Sequence, residues 1–109
     1  MKTKVVEGKL GTPEMQAMLA DQSVSVIVTD FHGVNWHEKC KVFPCFVVYR
    51  RPKDFKRYNF VVRIFDGDCP LRLLTVGDTL EDVRKTIPKG FLRVPPTKTD
   101  DPIIVETWV

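Results

Sequence analysis

The sequence predicts a single compact α+β domain, in which two short helices pack on a mainly antiparallel sheet built around a β-meander. Three apolar runs with the two-residue period of strands follow one another over residues 42–76. Two other segments, residues 12–22 and 78–87, have the spacing of helices instead. A chain of 109 residues is long enough to bury a core that needs neither disulfides nor a metal.

The first predicted helix follows a short, charged N-terminal segment, residues 1–11, which we expect to be flexible. Thr12 is suited to cap the helix, and Pro13 is favoured at the first helical position. One apolar face follows at helical spacing, formed by Met15, Met18 and Leu19. Residues 24–29 are apolar and β-branched, which predicts the first strand.

The next three strands are predicted over residues 42–50, 58–65 and 70–76. The first of them is apolar on both faces, as is typical of a central, covered strand. We therefore expect Val47→Asp to unfold the domain and Lys53→Ala to leave it folded. The second and third strands are separated by Asp66-Gly67-Asp68, a turn sequence typical of hairpins.

The second helix is predicted to begin at Asp78, because Asp78 and Glu81 resemble a capping box. Pro88-Lys89-Gly90 ends it. The chain then forms a short strand over residues 91–94, an extended connector over residues 95–102 and a terminal strand over residues 103–109.

Composition excludes several classes of protein. Six Gly and eight Pro are too few for a collagenous or low-complexity chain. No apolar run approaches the ~20 residues that span a bilayer, and the charged N-terminus lacks a secretory signal. Three Cys at irregular spacing are typical of reduced thiols. We therefore expect a cytoplasmic protein that does not act at a membrane.

Charge is distributed unevenly along the chain. Residues 39–63 contain eight cations and one acid, Asp54, and so carry +7 in a chain of net charge +3. Five of the cations lie in the predicted hairpin over residues 49–58, together with Phe55 and two tyrosines. Such a ribbon suits an acidic protein surface or a nucleic-acid backbone. The alternative is that the cations merely keep a strand edge soluble.

A second candidate surface is the aperiodic loop over residues 30–41, which contains Trp36 and His37. Trp is enriched at binding surfaces, although Phe31 and Trp36 could equally cap the core. The leading hypothesis is a small non-enzymatic protein that regulates or inhibits a larger partner through this loop and the basic hairpin. The candidate binding residues are Arg50, Arg51, Lys53, Phe55, Lys56, Arg57, Trp36 and His37. The first alternative is a nucleic-acid-binding module that uses the same residues.

The cysteines and histidines offer two further alternatives. Zinc could be bound by His32, His37, Cys40 and Cys45, but their spacing does not match a zinc knuckle. A cysteine enzyme could use Cys40, whose pKa the flanking Lys39 and Lys41 would lower, with His37 as the base. No oxyanion loop accompanies them, and the hairpin turn explains Asp66 and Asp68. The sequence therefore predicts no catalytic residue, no metal and no cofactor.

The last four residues, Glu106-Thr107-Trp108-Val109, resemble a class I PDZ ligand. The alternation of apolar residues over 103–109 favours a strand of the fold instead. A terminal strand at a sheet edge could also pair with a second copy of the chain and form a homo-oligomer.

Overall fold

In the computed structural model the described residues are 5–8, 25–53 and 57–109, and of residues 5–8 the backbone alone is described. These parts of the chain form seven strands: β1 (Val5–Gly8), β2 (Ser25–Val28), β3 (Pro44–Arg50), β4 (Phe60–Asp66), β5 (Cys69–Gly77), β6 (Arg93–Val94) and β7 (Ile104–Trp108). They also form two short helices, α1 (Trp36–Lys39) and α2 (Leu80–Arg84).

The strands form one sheet in the order β1-β2-β5-β4-β3-β7-β6. β3, β4 and β5 are antiparallel neighbours, which confirms the predicted meander. β1 pairs with β2, and β2 with β5, in parallel. The compact α+β domain is thus confirmed, but the sheet is mixed rather than purely antiparallel. Residues 5–8, predicted to be flexible, form a strand because they pair with β2.

One face of the sheet, here called the helix face, carries the main core. Strand alternation places Phe46, Val48, Val62 and Ile64 on this face, and all are fully buried. The loop and helix residues Phe31, Trp36, Val83 and Ile87 cover them. Phe31 and Trp36 contact Phe46 with ring centroids 5.0 and 6.2 Å away. Both helices therefore pack on the same side of the sheet.

The opposite face, here called the groove face, carries a smaller apolar cluster. Ile27, Val61 and Leu74 are buried there, and Tyr58 and Val76 pack against them. Val47 on β3 is also buried on this face, with 8% of its surface exposed. β3 therefore has apolar, buried residues on both faces, which confirms that it is a central strand.

The helices differ from the predicted ones. The helix expected over residues 12–22 lies outside the described residues. α1 lies within the loop predicted over residues 30–41. The N-cap of α2 lies one residue later than predicted, because Thr79 rather than Asp78 accepts a hydrogen bond from Asp82 N–H at 3.1 Å, and the helix itself begins at Leu80. Among the helices of the described residues, none is both long and apolar enough to cross a bilayer.

The β4–β5 turn confirms the predicted hairpin. Gly67 has a positive φ of 60° and donates its N–H to Phe43 O at 2.8 Å. Asp66 accepts hydrogen bonds from the N–H groups of Lys41 and Val42, both at 2.8 Å, which lower its pKa. Asp66 is thus held in a structural role, as the turn sequence predicts.

We expect Gly67→Ala to destabilise the domain more than Gly33→Ala. Both glycines have positive φ, so each alanine incurs a backbone penalty of about 1 kcal/mol. A Cβ at Gly67 would additionally lie 3.0 Å from the Val42 side chain, whereas nothing lies within 4 Å of one at Gly33. Urea denaturation of the two variants measures the difference, and equal losses would show that Val42 moves aside freely.

The C-terminal residues belong to the sheet. β7 pairs with β3 on one side and with β6 on the other. Val109 and Leu92 exchange backbone hydrogen bonds at 2.9 and 2.7 Å, so the last residue is held in the ladder. The interpretation as a strand is confirmed, and no free tail presents the PDZ-like motif. The homo-oligomer hypothesis places the terminal strand at the edge of the sheet. In the structure β6 pairs with Thr107 and Trp108 of β7 and is itself the edge strand there. β6 is short and is followed by Pro95-Pro96, which limits further pairing.

Candidate partner-binding surface

The predicted basic hairpin lies at the β3–β4 end of the sheet. Its described cations Arg50, Arg51, Lys53 and Arg57, here called the basic tip, are all exposed. Within residues 25–53 and 57–109, the ion pairs are those of Glu106 with Arg84 and Arg93, so no described carboxylate forms an ion pair with the basic tip. Phe55 and Lys56 lie outside the described residues.

The backbone of the tip is constrained rather than loose. Arg51 has a φ of 48°, which is uncommon for a residue other than glycine. Its N–H donates to Asn59 O at 2.9 Å, and the N–H of Arg50 donates to Ile103 O at 2.8 Å. Pro52 beside them is buried. These contacts constrain the backbone at Arg50 and Arg51.

Trp36 lies in the core and not on an exposed surface, which is the second of the two alternatives that the sequence leaves open for it. Trp36 is 5% exposed, and its Nε1 donates to Phe31 O at 2.8 Å. The ring of Phe31 packs edge-on against it, with centroids 5.8 Å apart. The two rings cap the core at Phe46 together with Phe91, whose ring centroid lies 4.9 Å from that of Phe46. His37 is exposed, as a surface role requires, and its ring stacks on Phe91 at 5.5 Å.

The loop over residues 30–41 and the basic tip do not form one continuous surface. The last residue of the loop, Lys41, donates its N–H to the Asp66 carboxylate. Asp66 in turn pairs with Pro44 at the start of β3. The tip begins at Arg50, which pairs with Phe60 at the other end of β3. Seven strand residues separate these ends by about 20 Å. The net charge of residues 39–63 is therefore divided between two ends of the sheet.

A cleft of about 540 Å³ adjoins the basic tip on the groove face. Lys53 of the tip lines it, together with Tyr49, Arg63 and Phe65. Burial raises the pKa of the Tyr49 hydroxyl, and the positive charge of Arg63 opposes that change. The Tyr49 ring and the Arg63 guanidinium are therefore neighbours in a partly desolvated site. Arg63, in the middle of β4, is half-buried.

A second depression, of about 290 Å³, continues the cleft toward the β4–β5 turn. Tyr49 and Phe65 line both depressions, so the two form one groove. The second depression is lined by the acidic residues Asp68 and Asp100, whereas the cations Lys53 and Arg63 line the first. Sequence reasoning missed this groove, because its residues come from β3, β4 and the connector before β7.

The structure places the cysteine and histidine side chains of the two further alternatives as follows. Cys40 is buried, and burial together with the charge of Asp66 raises the pKa of its thiol. The prediction that Lys39 and Lys41 lower that pKa is therefore wrong. The His32 ring is hydrogen-bonded to Lys85 O at 2.7 Å. Over the ranges that the structure describes, no three His, Cys, Asp or Glu side chains are grouped as metal ligands.

Glu106 is a buried charged residue that sequence reasoning also missed. Its carboxylate is fully buried on the helix face and accepts two hydrogen bonds from Arg84, at 3.0 and 2.6 Å. Arg93 donates to it at 3.0 Å, and Trp108 Nε1 donates at 2.5 Å. The group joins α2, β6 and β7 and is saturated with donors, so we assign it to the architecture and not to the binding surface.

No protein-family model, curated protein or solved structure matches this chain. The candidate surface therefore rests on the geometry and charge of these residues.

Proposed function

We propose that this chain is a small non-enzymatic binding protein that engages the acidic surface of a larger protein through the basic tip. The observation that carries this proposal is the exposure of four cations, none of which forms an ion pair with a described carboxylate. Elsewhere in the described chain, Arg84 and Arg93 satisfy a buried acid. Clustered like charges repel one another, and an opposing charge on a partner relieves that repulsion.

Electrostatics of this kind chiefly accelerate association and select the partner. Arginine suits that role because its planar guanidinium can bind a carboxylate through two hydrogen bonds. Regulation or inhibition would follow when the bound protein covers a site on its partner.

The nucleic-acid-binding alternative relies on the same cations. The acidic residues beside the basic tip favour a protein partner over a nucleic acid. Asp101 lines the cleft together with Lys53, and Asp100 follows in the second depression. A phosphate backbone would be repelled along this side of the tip, whereas a protein surface can present charges of both signs.

We expect neutralisation of the basic tip to abolish capture of the partner. The variant replaces Arg50, Arg51, Lys53 and Arg57 by Gln, and the matched control replaces the exposed Lys39, Lys85, Lys89 and Lys98 by Gln. Both variants lose the same charge. Affinity purification from lysate, with and without nuclease, compares each with the wild type.

A stoichiometric protein that survives nuclease, is retained by the control and is lost with the tip variant would support the proposal. Equal recovery by the tip variant would overturn it. If the bound material is nucleic acid that disappears with nuclease or with salt, the alternative is correct.

A further inference from the structure

The groove has opposite charges along its length. Lys53 and Arg63 line the end beside the basic tip, and Asp68 and Asp100 line the other end. The rings of Tyr49 and Phe65 lie between them, since these two residues belong to both depressions. The groove therefore has a cationic end, an aromatic middle and an acidic end.

Two hydrogen bonds show which acids are already engaged. Asp101, which also lines the cationic end, accepts from Ile103 N–H at 3.1 Å, and Asp100 accepts from Thr97 N–H at 2.9 Å. Each bond uses one carboxylate oxygen and leaves the other able to accept. Asp68 is exposed on the β4–β5 turn. The acidic end can therefore accept hydrogen bonds from a cation of a ligand.

We propose that the groove binds an extended peptide segment of the partner protein that carries an acidic residue, an apolar residue and a basic residue in succession. The acidic side chain pairs with Arg63 and Lys53, the apolar one packs on Tyr49 and Phe65, and the basic one pairs with Asp68 or Asp100. A nucleic-acid strand carries a negative charge at every phosphate and does not fit this alternation.

The dimensions of the groove agree with such a segment. Arg63 lines the cationic end and Gly67 lines the acidic end four residues further on, at most about 13 Å away along an extended chain. An extended peptide covers that length in roughly four residues. The acidic and basic residues of the segment are therefore expected about two to four positions apart.

This inference rests on the proposed function in one respect, since Lys53 belongs to both the groove and the basic tip. The tip attracts the acidic surface as a whole, and the groove selects one segment of it. Selectivity thus depends on Arg63 and Asp68, which lie outside the tip.

Selection of random hexapeptides displayed on phage tests this inference with the full-length chain. On the wild type we expect enriched peptides to contain the acidic–apolar–basic pattern. On Arg63→Glu the acidic preference is replaced by a basic one, and on Asp68→Lys the basic preference is replaced by an acidic one. Lys89→Glu makes the same charge change at an exposed position outside both the tip and the groove, and should leave the pattern unchanged.

A peptide selected on the wild type should bind Arg63→Gln about tenfold more weakly, because one charge-assisted pair is lost. Circular dichroism confirms that each variant is folded. Asp68 lies on an exposed turn, so Asp68→Lys remains informative if Arg63→Glu does not fold.

Two outcomes would overturn the inference: no enriched pattern on the wild type, or patterns unchanged by both charge reversals. Either outcome leaves the proposed function intact if tip neutralisation still abolishes partner capture. Failure of the tip test alone would reject the proposed function without altering the peptide pattern.

Discussion

Val48→Asp is expected to prevent folding of the domain. Val48 is fully buried on the helix face and pairs with Val62 on one side and Glu106 on the other. A carboxylate at position 48 would be buried beside a second carboxylate, which already engages Arg84 and Arg93. Burying an unpaired charge costs several kcal/mol, a large part of the roughly 5–15 kcal/mol that stabilises a typical domain. Circular dichroism and urea titration should therefore show no cooperative unfolding transition.

Val47→Asp is the matched control for this prediction. Val47 is also buried, but it lies on the groove face and pairs directly with Arg63. A carboxylate there reaches a cation and the solvent of the groove. We therefore expect Val47→Asp to be destabilised but folded, in contrast to the expectation from the sequence that it unfolds the domain. If the two variants unfold alike, the assignment of opposite faces is wrong.

This difference shows what alternation along a strand can and cannot establish. The apolar pattern of residues 42–50 predicts buried residues on both faces of β3, and Val47 and Val48 are indeed buried on opposite faces. It does not show that Arg63 lies opposite Val47, because register depends on pairing with another strand. The meander could be predicted, since its β4–β5 turn is local and carries a strong Asp-Gly signal.

The parallel pairing of β1 and β2 could not be predicted in the same way. Parallel neighbours are joined by long connections, and no short turn sequence marks them. Val5 and Val6 alone are too few to show an alternation. A strand that forms only by pairing with a segment distant in sequence cannot be predicted from the pattern of its own residues.

The candidate surface was predicted in part. The cations of the basic tip are exposed as expected, because a short polar segment between two strands has to lie at the sheet end. The aperiodic loop around Trp36 does not show which residues turn inward, so the sequence leaves open whether this ring is exposed or caps the core. The groove was missed because Tyr49, Arg63 and Asp100 are distant in sequence and meet only across the sheet.

Glu106→Gln is expected to destabilise the domain by about 2–3 kcal/mol at pH 7. Burial raises the pKa of Glu106, but hydrogen bonds from Arg84, Trp108 and Arg93 outweigh that effect and lower the pKa from 4.5 to about 2. A shift of this size corresponds to at most about 3 kcal/mol. The partly exposed guanidinium groups, 39% for Arg84 and 46% for Arg93, reduce it somewhat through solvent screening.

The sign of the pH dependence follows from the direction of the pKa change. A carboxylate whose pKa is lower in the folded state stabilises the fold above its unfolded pKa of about 4.5. That stability is lost as the pH falls toward about 2, where Glu106 becomes protonated in the folded state as well. Since Gln resembles the protonated acid, the difference between wild type and Glu106→Gln should shrink over this interval.

Urea denaturation of both proteins between pH 7 and pH 2 measures that difference directly. Glu38→Gln provides the control, because Glu38 is exposed on α1 and none of the described residues forms an ion pair with it. Its effect should be small at every pH. If the loss in Glu106→Gln were as large at pH 2 as at pH 7, it would reflect packing around the side chain and not the charge. A loss of stability that becomes smaller as the pH falls would instead show that the ionised carboxylate of Glu106 holds α2, β6 and β7 together.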